Sequence, residues 1–250
     1  MLTVNINFVK IKQLKDEKVL LNNINFKIDK NKVYTILGKN GAGKSTLINS
    51  LTKLLNVSEY EIDCTINFDG RDLYSITDEE LRLLRGDKIK YVFQDAHKTF
   101  DQLKTLKYYF NNASKSVDEI EELLSFFQLP NSQKLFPLYP YEISGGMAQR
   151  VSFILALLAK PNLLILDEPS ASVDAAIANL FLLKLKEFAK EGDNSVLIIS
   201  QDLLFAKKVS DKIAFLSGGR LSEFTPPKDF FELNKSKELE EFLNFYEVLK

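Results

Sequence analysis

Residues 38 to 45 read Gly38-Lys39-Asn40-Gly41-Ala42-Gly43-Lys44-Ser45 and match the pattern G-x-x-x-x-G-K-[ST]. The apolar run Val33–Leu37 before them predicts a buried strand, and the residues from Thr46 onward have helical spacing. In this pattern, glycines turn backbone N–H groups toward phosphate, and the N-terminus of the helix adds positive partial charge. Lys44 reaches the β- and γ-phosphates, and the Ser45 hydroxyl binds Mg²⁺. The sequence therefore predicts a site for a nucleoside triphosphate with Mg²⁺ over Gly38–Thr46.

A pair of carboxylates follows another apolar run. Leu163–Leu166 is typical of a parallel strand buried on both faces, and Asp167 and Glu168 come directly after it. The carboxyl ends of strands are where α/β sheets bind their ligands. Asp167 can hold Mg²⁺, and Glu168 can polarise a water for attack on a γ-phosphate. This segment therefore predicts the acidic half of the same site.

The remaining pattern predicts a mixed α/β chain. Alternation at residues 3–9, 19–28 and 66–70 indicates a small antiparallel sheet beside the strand at 33–37. Further strands are expected at 88–94 and 196–199, helices at 78–85, 117–128 and 236–249, and a hairpin turn at Gly218-Gly219. Pro226-Pro227 marks the best boundary between the main body and a C-terminal tail.

Composition excludes several functional classes. The chain has 250 residues and a net charge of −1, so no basic excess points to nucleic acid. Cys64 is the only cysteine and His97 the only histidine, so we expect a packed thiol, a surface histidine and no cysteine- or histidine-rich metal site. Polar residues interrupt Met1–Lys10, which disfavours a secretory signal, and no apolar run approaches the roughly 20 residues that span a bilayer. Any membrane contact is expected to come through a partner.

Three further segments complete a resemblance to the ATP-binding cassette (ABC) ATPases. Gln94 in Tyr91–Asp95 resembles the family's Q-loop glutamine, residues 170–174 resemble its D-loop, and Ile143–Arg150 resembles its signature sequence. Residues 38–45 and 163–168 then resemble its Walker A and Walker B motifs. The resemblance runs across nearly the whole chain, and the order of five motifs is far more specific than any one of them.

The resemblance implies a fold and a domain plan. The expected fold is an α/β P-loop NTPase cassette with a RecA-like core, an antiparallel β subdomain and a helical signature subdomain. The ATPase domain is expected over residues 1–225, with the helical subdomain at about residues 95–160. A helical tail is expected over residues 226–250.

The resemblance also implies roles for individual residues, with ATP and Mg²⁺ as cofactors. Lys44, Glu168 and the residue at position 201 are expected to be catalytic, and Ser45, Gln94 and Asp167 to hold the metal. Ser144 is a good N-cap, and glycines at positions 145 and 146 let backbone amides approach an anion. In the family this helix N-terminus docks on ATP held by a second cassette, so Ser144, Gly145 and Gly146 are expected to bind the partner's nucleotide.

Two positions depart from the family pattern. After the apolar run at 196–199 the family usually has a histidine before an aspartate, whereas this chain has Gln201. Glutamine can hydrogen-bond to a γ-phosphate but cannot carry a positive charge. The family also stacks adenine on an aromatic side chain upstream of the P-loop, and the nearest matching position here is Leu14. Apolar contact from Leu14 is expected to replace stacking.

The segment before the signature favours one branch of the family. Tyr139-Pro140-Tyr141-Glu142 and Met147 resemble the peptide and nickel importers. This branch implies an ATP-hydrolysing subunit at the cytoplasmic face of the inner membrane, paired with a second, different cassette beneath membrane permease subunits. Its cargo would be a peptide or a nickel or metal chelate.

The segment after Gln94, with His97, Phe100, Leu103 and Leu106, is expected to dock on the permease, and the alternative is a solvated loop.

Two other functions stay open from the sequence. One is a soluble cassette protein of DNA repair or translation, although such relatives carry coiled-coil insertions or two cassettes, and this chain has neither. The other is a nucleotide-gated subunit with a degenerate ATP site, a hypothesis that rests on Gln201. The intact Glu168 argues against complete inactivity.

Overall fold

The computed structural model describes residues 1–12, 18–233 and 237–247. Leu14, the position expected to contact adenine, lies outside the described residues. The strands are β1 (Leu2–Ile11), β2 (Lys18–Ile28), β3 (Val33–Leu37), β4 (Tyr60–Phe68), β5 (Arg71–Asp72), β6 (Ile89–Val92), β7 (Leu163–Asp167), β8 (Ser195–Ser200), β9 (Lys212–Ser217) and β10 (Arg220–Leu221). The α-helices are α1 (Lys44–Leu51), α2 (Asp78–Asp87), α3 (Leu106–Ala113), α4 (Val117–Phe126), α5 (Ser132–Leu135), α6 (Gly145–Leu158), α7 (Ala175–Lys190), α8 (Leu203–Val209), α9 (Pro227–Leu233) and α10 (Lys237–Glu247).

The central sheet has the strand order β10-β9-β3-β8-β7-β6 and is parallel except for β10. Every residue of β3, β7 and β8 is buried. Alternate residues of β7 face opposite layers: Leu164 and Leu166 belong to one hydrophobic cluster, Leu163 and Ile165 to another. Burial on both faces explains why these strands read as continuous apolar runs.

The predicted antiparallel sheet is confirmed, with the strand order β2-β1-β4-β5. Along β1, Leu2, Val4 and Ile6 are buried and the residues between them are exposed. The buried side chains join a hydrophobic cluster with Ile36 of β3 and Leu47 of α1. This sheet therefore packs on the layer that carries the glycine-rich loop.

The predicted helix after the signature sequence is confirmed as α6. The Ser144 hydroxyl accepts a hydrogen bond from the N–H of Met147 at 3.3 Å, as expected of an N-cap. Within the helical region, the Phe153 ring lies 5.5 Å from that of Phe127 and 4.5 Å from that of Phe181 on α7, centroid to centroid. The same cluster includes β-sheet residues, so the helical region and the sheet share one core. The limits of a helical subdomain at 95–160 stay a prediction.

The C-terminal helices pack on the main sheet. Phe230 of α9 and Leu239 and Phe242 of α10 are buried with Leu37 and Phe215. The rings of Phe215 and Phe242 are 5.2 Å apart. The division at residue 226 stays a prediction. Helices α9 and α10 pack against Leu37, the last residue of β3 before the glycine-rich loop. Among the described residues, no helix is both long enough and apolar enough to cross a bilayer.

Leu239→Ala tests whether the tail is part of the core. Leu239 is completely buried, and its truncation should lower the free energy of unfolding by about 3 kcal/mol because a cavity replaces its side chain. Leu183→Ala, at a residue 57% exposed on α7, is the matched control and should cost about 0.5 kcal/mol or less. Denaturant unfolding measures both variants. Equal stabilities would show that α10 does not contribute to the core.

Candidate functional site

The glycine-rich loop connects β3 to α1 and packs closely against β2. Gly43 precedes the helix with φ 100°. A Cβ at Gly43 would lie 3.0 Å from Leu21 Cδ2 and 3.3 Å from the carbonyl oxygen of Leu20. Both the left-handed backbone and the narrow space therefore require glycine at this position. The glycine of the motif that directly precedes its lysine is thus required by the backbone conformation and by the contact with β2.

Lys44 is held inside the loop that it follows. Its side chain is 9% exposed, and its Nζ donates to the carbonyl oxygens of Gly38 at 2.8 Å and Lys39 at 3.2 Å. The same nitrogen lies 3.5 Å from Oε1 of Glu168. An ammonium group has three donors, so the two loop contacts leave a third available to an anion, and the nearest one is the carboxylate of Glu168 at 3.5 Å. A positive charge is therefore preorganised between the P-loop and the end of β7.

Glu168 adopts a left-handed backbone conformation, with φ 48°. This conformation costs a non-glycine residue about 1–3 kcal/mol and is concentrated at functional sites. Its N–H donates to the carbonyl oxygen of Ile199 at 2.8 Å. Its Oε2 accepts hydrogen bonds from Ser200 Oγ at 2.9 Å and from the backbone N–H of Gln201 at 3.1 Å. The structure thus brings together the three residues predicted to be catalytic, Lys44, Glu168 and Gln201.

Ser200 is a site residue that the sequence analysis missed. It is fully buried at the end of β8, and its hydroxyl accepts a hydrogen bond from the N–H of Asp202 at 3.0 Å while donating to Glu168. The available signal was a polar residue at the carboxyl end of an apolar strand. That signal points to the site only when the strand register is known, because the register places Ser200 beside Leu37, the residue immediately before the P-loop.

Asp167 is held by a phenol that the sequence analysis also missed. Tyr91 of β6 donates its hydroxyl to Oδ2 of Asp167 at 3.2 Å. Burial raises the pKa of Asp167 above its ordinary value, and the nearby charge of Glu168 adds to this effect. The Tyr91 hydrogen bond and the charge of Lys44 act in the opposite direction. Burial also raises the pKa of Tyr91, which keeps its proton available for donation.

Lys44, Asp167 and Glu168 line one pocket of about 230 Å³. Its lining residues are Leu20, Asn40, Gly41, Gly43, Lys44, Ser45, Thr46, Gln94, Asp167 and Glu168. Most predicted phosphate-binding residues and all three predicted metal-binding residues are therefore together. Leu20 of β2 forms a wall that the sequence analysis did not identify.

The donor set of the pocket fits Mg²⁺. Ser45, Gln94 and Asp167 offer hydroxyl, amide and carboxylate oxygens, which are the ligands that hard cations prefer. Within the described ranges, no group of three or more His, Cys, Asp or Glu residues could hold a metal alone. Mg²⁺ at phosphate sites usually takes one or two carboxylates and completes its shell with phosphate oxygens and waters.

The signature residues lie elsewhere. Of the described residues that line the P-loop pocket, none comes from Ser144–Gly146. Gly145 instead borders a neighbouring cleft of about 380 Å³ together with Gln94 and Ser172. Gln149 of α6, almost fully buried, donates its side-chain amide to the carbonyl oxygen of Phe93 at 3.5 Å. Gln94 therefore lies between the P-loop pocket and the signature helix.

The prediction that Leu106 belongs to the docking surface is wrong, because Leu106 is 0% exposed in the hydrophobic core of the helical region. Phe100 is 8% exposed and packs into the same core, but it also lines a groove at the surface. Leu103 is 84% exposed and His97 is partly buried. The groove, of about 440 Å³, is lined by aromatic side chains that include Tyr91, Phe93 and Tyr109.

The comparison with protein families agrees with this geometry. A family model described as ABC transporter matches residues 21–171, which include the P-loop, the signature helix and the acidic strand end. The chain belongs to the ABC transporter family. A solved ABC structure, the dimeric post-hydrolysis state of the ATP-binding cassette MJ0796 bound to ADP and Pi, superposes with a TM-score of 0.78 at 22% identity. It covers 91% of this chain and 99% of that chain, which confirms the predicted cassette fold.

Similar curated proteins are ATP-binding proteins of transport and import systems. The dipeptide transport ATP-binding protein DppD of Bacillus subtilis is 31% identical over 218 residues, or 83% of this chain. The match covers 65% of that relative's length. The L-cystine import ATP-binding protein TcyC of Bacillus subtilis is 30% identical over 235 residues, covering 91% of this chain and 93% of the relative. These relatives are named for different cargoes, so membership in this family does not determine the cargo of this chain.

Asp167→Asn tests the electrostatics of the pocket. Because burial raises the pKa of Asp167 in the folded state, the ionised carboxylate opposes folding at neutral pH. Asp167→Asn should therefore raise Tm at pH 7, and the gain should vanish as the pH falls through the pKa of Asp167 to below about 4. Asp69→Asn, at an exposed residue, should change little at either pH. A lower Tm for Asp167→Asn at pH 7 would contradict the assignment.

Proposed function

We propose that the chain is the ATP-binding and ATP-hydrolysing subunit of an ABC importer. The observation that carries this proposal is the convergence of Lys44, Ser45, Gln94, Asp167 and Glu168 on one pocket. Its relatives, a dipeptide transport ATP-binding protein and an L-cystine import ATP-binding protein, support the same class. Its cargo would be a small molecule, and the dipeptide relative and the segment before the signature favour a peptide or a metal chelate.

The residues suggest how hydrolysis would proceed. The third donor of Lys44, which the loop carbonyls do not use, can bond to a phosphate oxygen without loss of the two loop contacts. Glu168 would stay anchored by Ser200 and the Gln201 N–H while orienting or deprotonating the attacking water. Bound Mg²⁺ would offset the negative charge of the phosphates. Ser45, Gln94 and Asp167 would hold the metal.

The position of the signature supports a dimer. Ser144, Gly145 and Gly146 begin α6 outside the chain's own P-loop pocket, so they would bind a nucleotide held by a second cassette. We propose that this second cassette is a different subunit, as in the peptide and nickel importer branch that the segment before the signature resembles. Gln201 would then occupy the family's histidine position in this chain's own site and not in the partner's. The two sites would then hydrolyse ATP unequally.

The groove beside Gln94 supports contact with a permease. Its aromatic walls, together with the exposed Leu103 in the segment between the groove residues Phe100 and Tyr109, could receive a short helix, which would link the membrane protein to Gln94. The chain would then act at the cytoplasmic face of the membrane through its partners.

Glu168→Gln and Lys44→Ala test the catalytic assignments. In the assembled complex, Glu168→Gln should keep ATP binding and lower turnover roughly 100-fold or more, because the water loses its base. Lys44→Ala should weaken ATP binding itself because the buried cation is lost. Glu122→Gln, at an exposed residue of α4, is the control for the glutamate change. Wild-type turnover in Glu168→Gln would show that this residue is not the base.

Gln201→His tests the inequality of the two sites. The backbone N–H of Gln201 already contacts Glu168, so residue 201 lies at the catalytic carboxylate whichever side chain it carries. With the partner cassette's Walker B glutamate disabled, Gln201→His should raise turnover by up to about 100-fold, because one well-placed donor can contribute that much. No increase in that background would show that Gln201 is a competent substitute.

Leu103→Cys tests the permease contact. Burial raises the pKa of the native Cys64 to about 11, so a thiol-directed crosslinker should react mainly with the introduced cysteine. We expect crosslinks from Leu103→Cys to the permease in an active complex. Val57→Cys, at a residue 71% exposed between α1 and β4, should give none. Equal yields from both positions, or none from Leu103→Cys, would contradict docking at this groove.

A further inference from the structure

Tyr91 lies between two cavities. Its side chain lines the 440 Å³ aromatic groove together with Phe93 and Tyr109. Its hydroxyl reaches Asp167, which lines the P-loop pocket. The parallel register pairs Tyr91 with Ile165, so the phenol extends from β6 toward the carboxyl end of the neighbouring strand β7. One side chain therefore contributes to both the groove wall and the edge of the metal site.

Both partners of the Tyr91–Asp167 hydrogen bond are held in place by their surroundings. The Tyr91 ring meets that of Phe93 edge-on, with centroids 3.9 Å apart. Asp167 is almost fully buried, and a hydrogen bond to a buried carboxylate is stronger than one between neutral groups. The phenol donates to Oδ2, so it fixes the rotation of the carboxylate and leaves the other oxygen available to a cation.

We propose that Tyr91 is a positioning residue that presents the carboxylate of Asp167 to the Mg²⁺ of a bound nucleotide. This proposal rests on the proposed function. A group that hydrogen-bonds to a metal ligand commonly changes metal affinity, because it sets the orientation and the basicity of that ligand. The alternative is that the phenol only completes the groove wall. In that case its hydroxyl would contribute to stability and not to metal affinity.

Tyr91→Phe separates these roles because it keeps the ring and removes only the hydroxyl. The full chain would be titrated with Mg²⁺ in the presence of N-methylanthraniloyl-ADP, with nucleotide binding followed by fluorescence. We expect the Mg²⁺ concentration at half-saturation to rise about tenfold. Nucleotide affinity in EDTA should match that of the wild type. Tyr109→Phe is the matched control, because its phenol lines the same groove but donates to the carbonyl oxygen of Asp101 at 3.0 Å.

A double-mutant comparison guards against an indirect effect of lower stability. In an Asp167→Asn background, adding Tyr91→Phe should leave the Mg²⁺ dependence unchanged, because the group that Tyr91 positions is already altered. The same tenfold change in that background would overturn the proposal, as would an unchanged Mg²⁺ dependence in Tyr91→Phe alone. Failure of the wild-type chain to bind the nucleotide would instead overturn the proposed function, so the two failures are distinguishable.

Discussion

The parallel pairing of β3, β8 and β7 is the constraint on which the site depends. Because these strands are buried on both faces, their polar side chains come together where the strands end. The register pairs Leu37 with Ser200 and Asp167 with Ile199, which aligns those ends. The P-loop leaves β3 at the same edge. A one-residue change of register would move the carboxylates to the opposite face of the sheet.

A buried charge pair then organises the pocket. Lys44 and Glu168 are both nearly inaccessible, and each has further hydrogen-bonding partners besides the other. Burying charges is expensive unless they are paired and hydrogen-bonded, so the two carbonyl oxygens and the Ser200 hydroxyl offset part of that cost. The left-handed backbone at Glu168 adds a local strain that the β7–β8 pairing sustains. Phosphate oxygens are suited to this arrangement because they can replace the carboxylate as the partner of Lys44.

The sequence predicted the parts of the site that local patterns specify. The P-loop, the acidic end of β7 and the N-cap at Ser144 are each specified by a few consecutive residues, so a short window of sequence contains the whole signal for each of them. Ser200 and Tyr91 were missed because they act across strands, through a register that no local pattern determines. The burial of Leu106 was not predicted because nothing in a short polar segment shows which side chains turn into the core. The role of α10 behind Leu37 likewise depends on packing between distant segments.

In the complex with nucleotide, the third donor of Lys44 should bond to phosphate. A crystal structure of the full chain with ADP and Mg²⁺ would show the environment of Lys44 Nζ directly. We expect a β-phosphate oxygen at roughly 3 Å from Nζ, the hydrogen-bonding distance. We also expect the contacts to Gly38 and Lys39 to be kept and the separation from Glu168 to grow beyond its present 3.5 Å. If Nζ instead stays at 3.5 Å from Glu168 and the diphosphate lies away from the P-loop, Lys44 does not bind phosphate in this way.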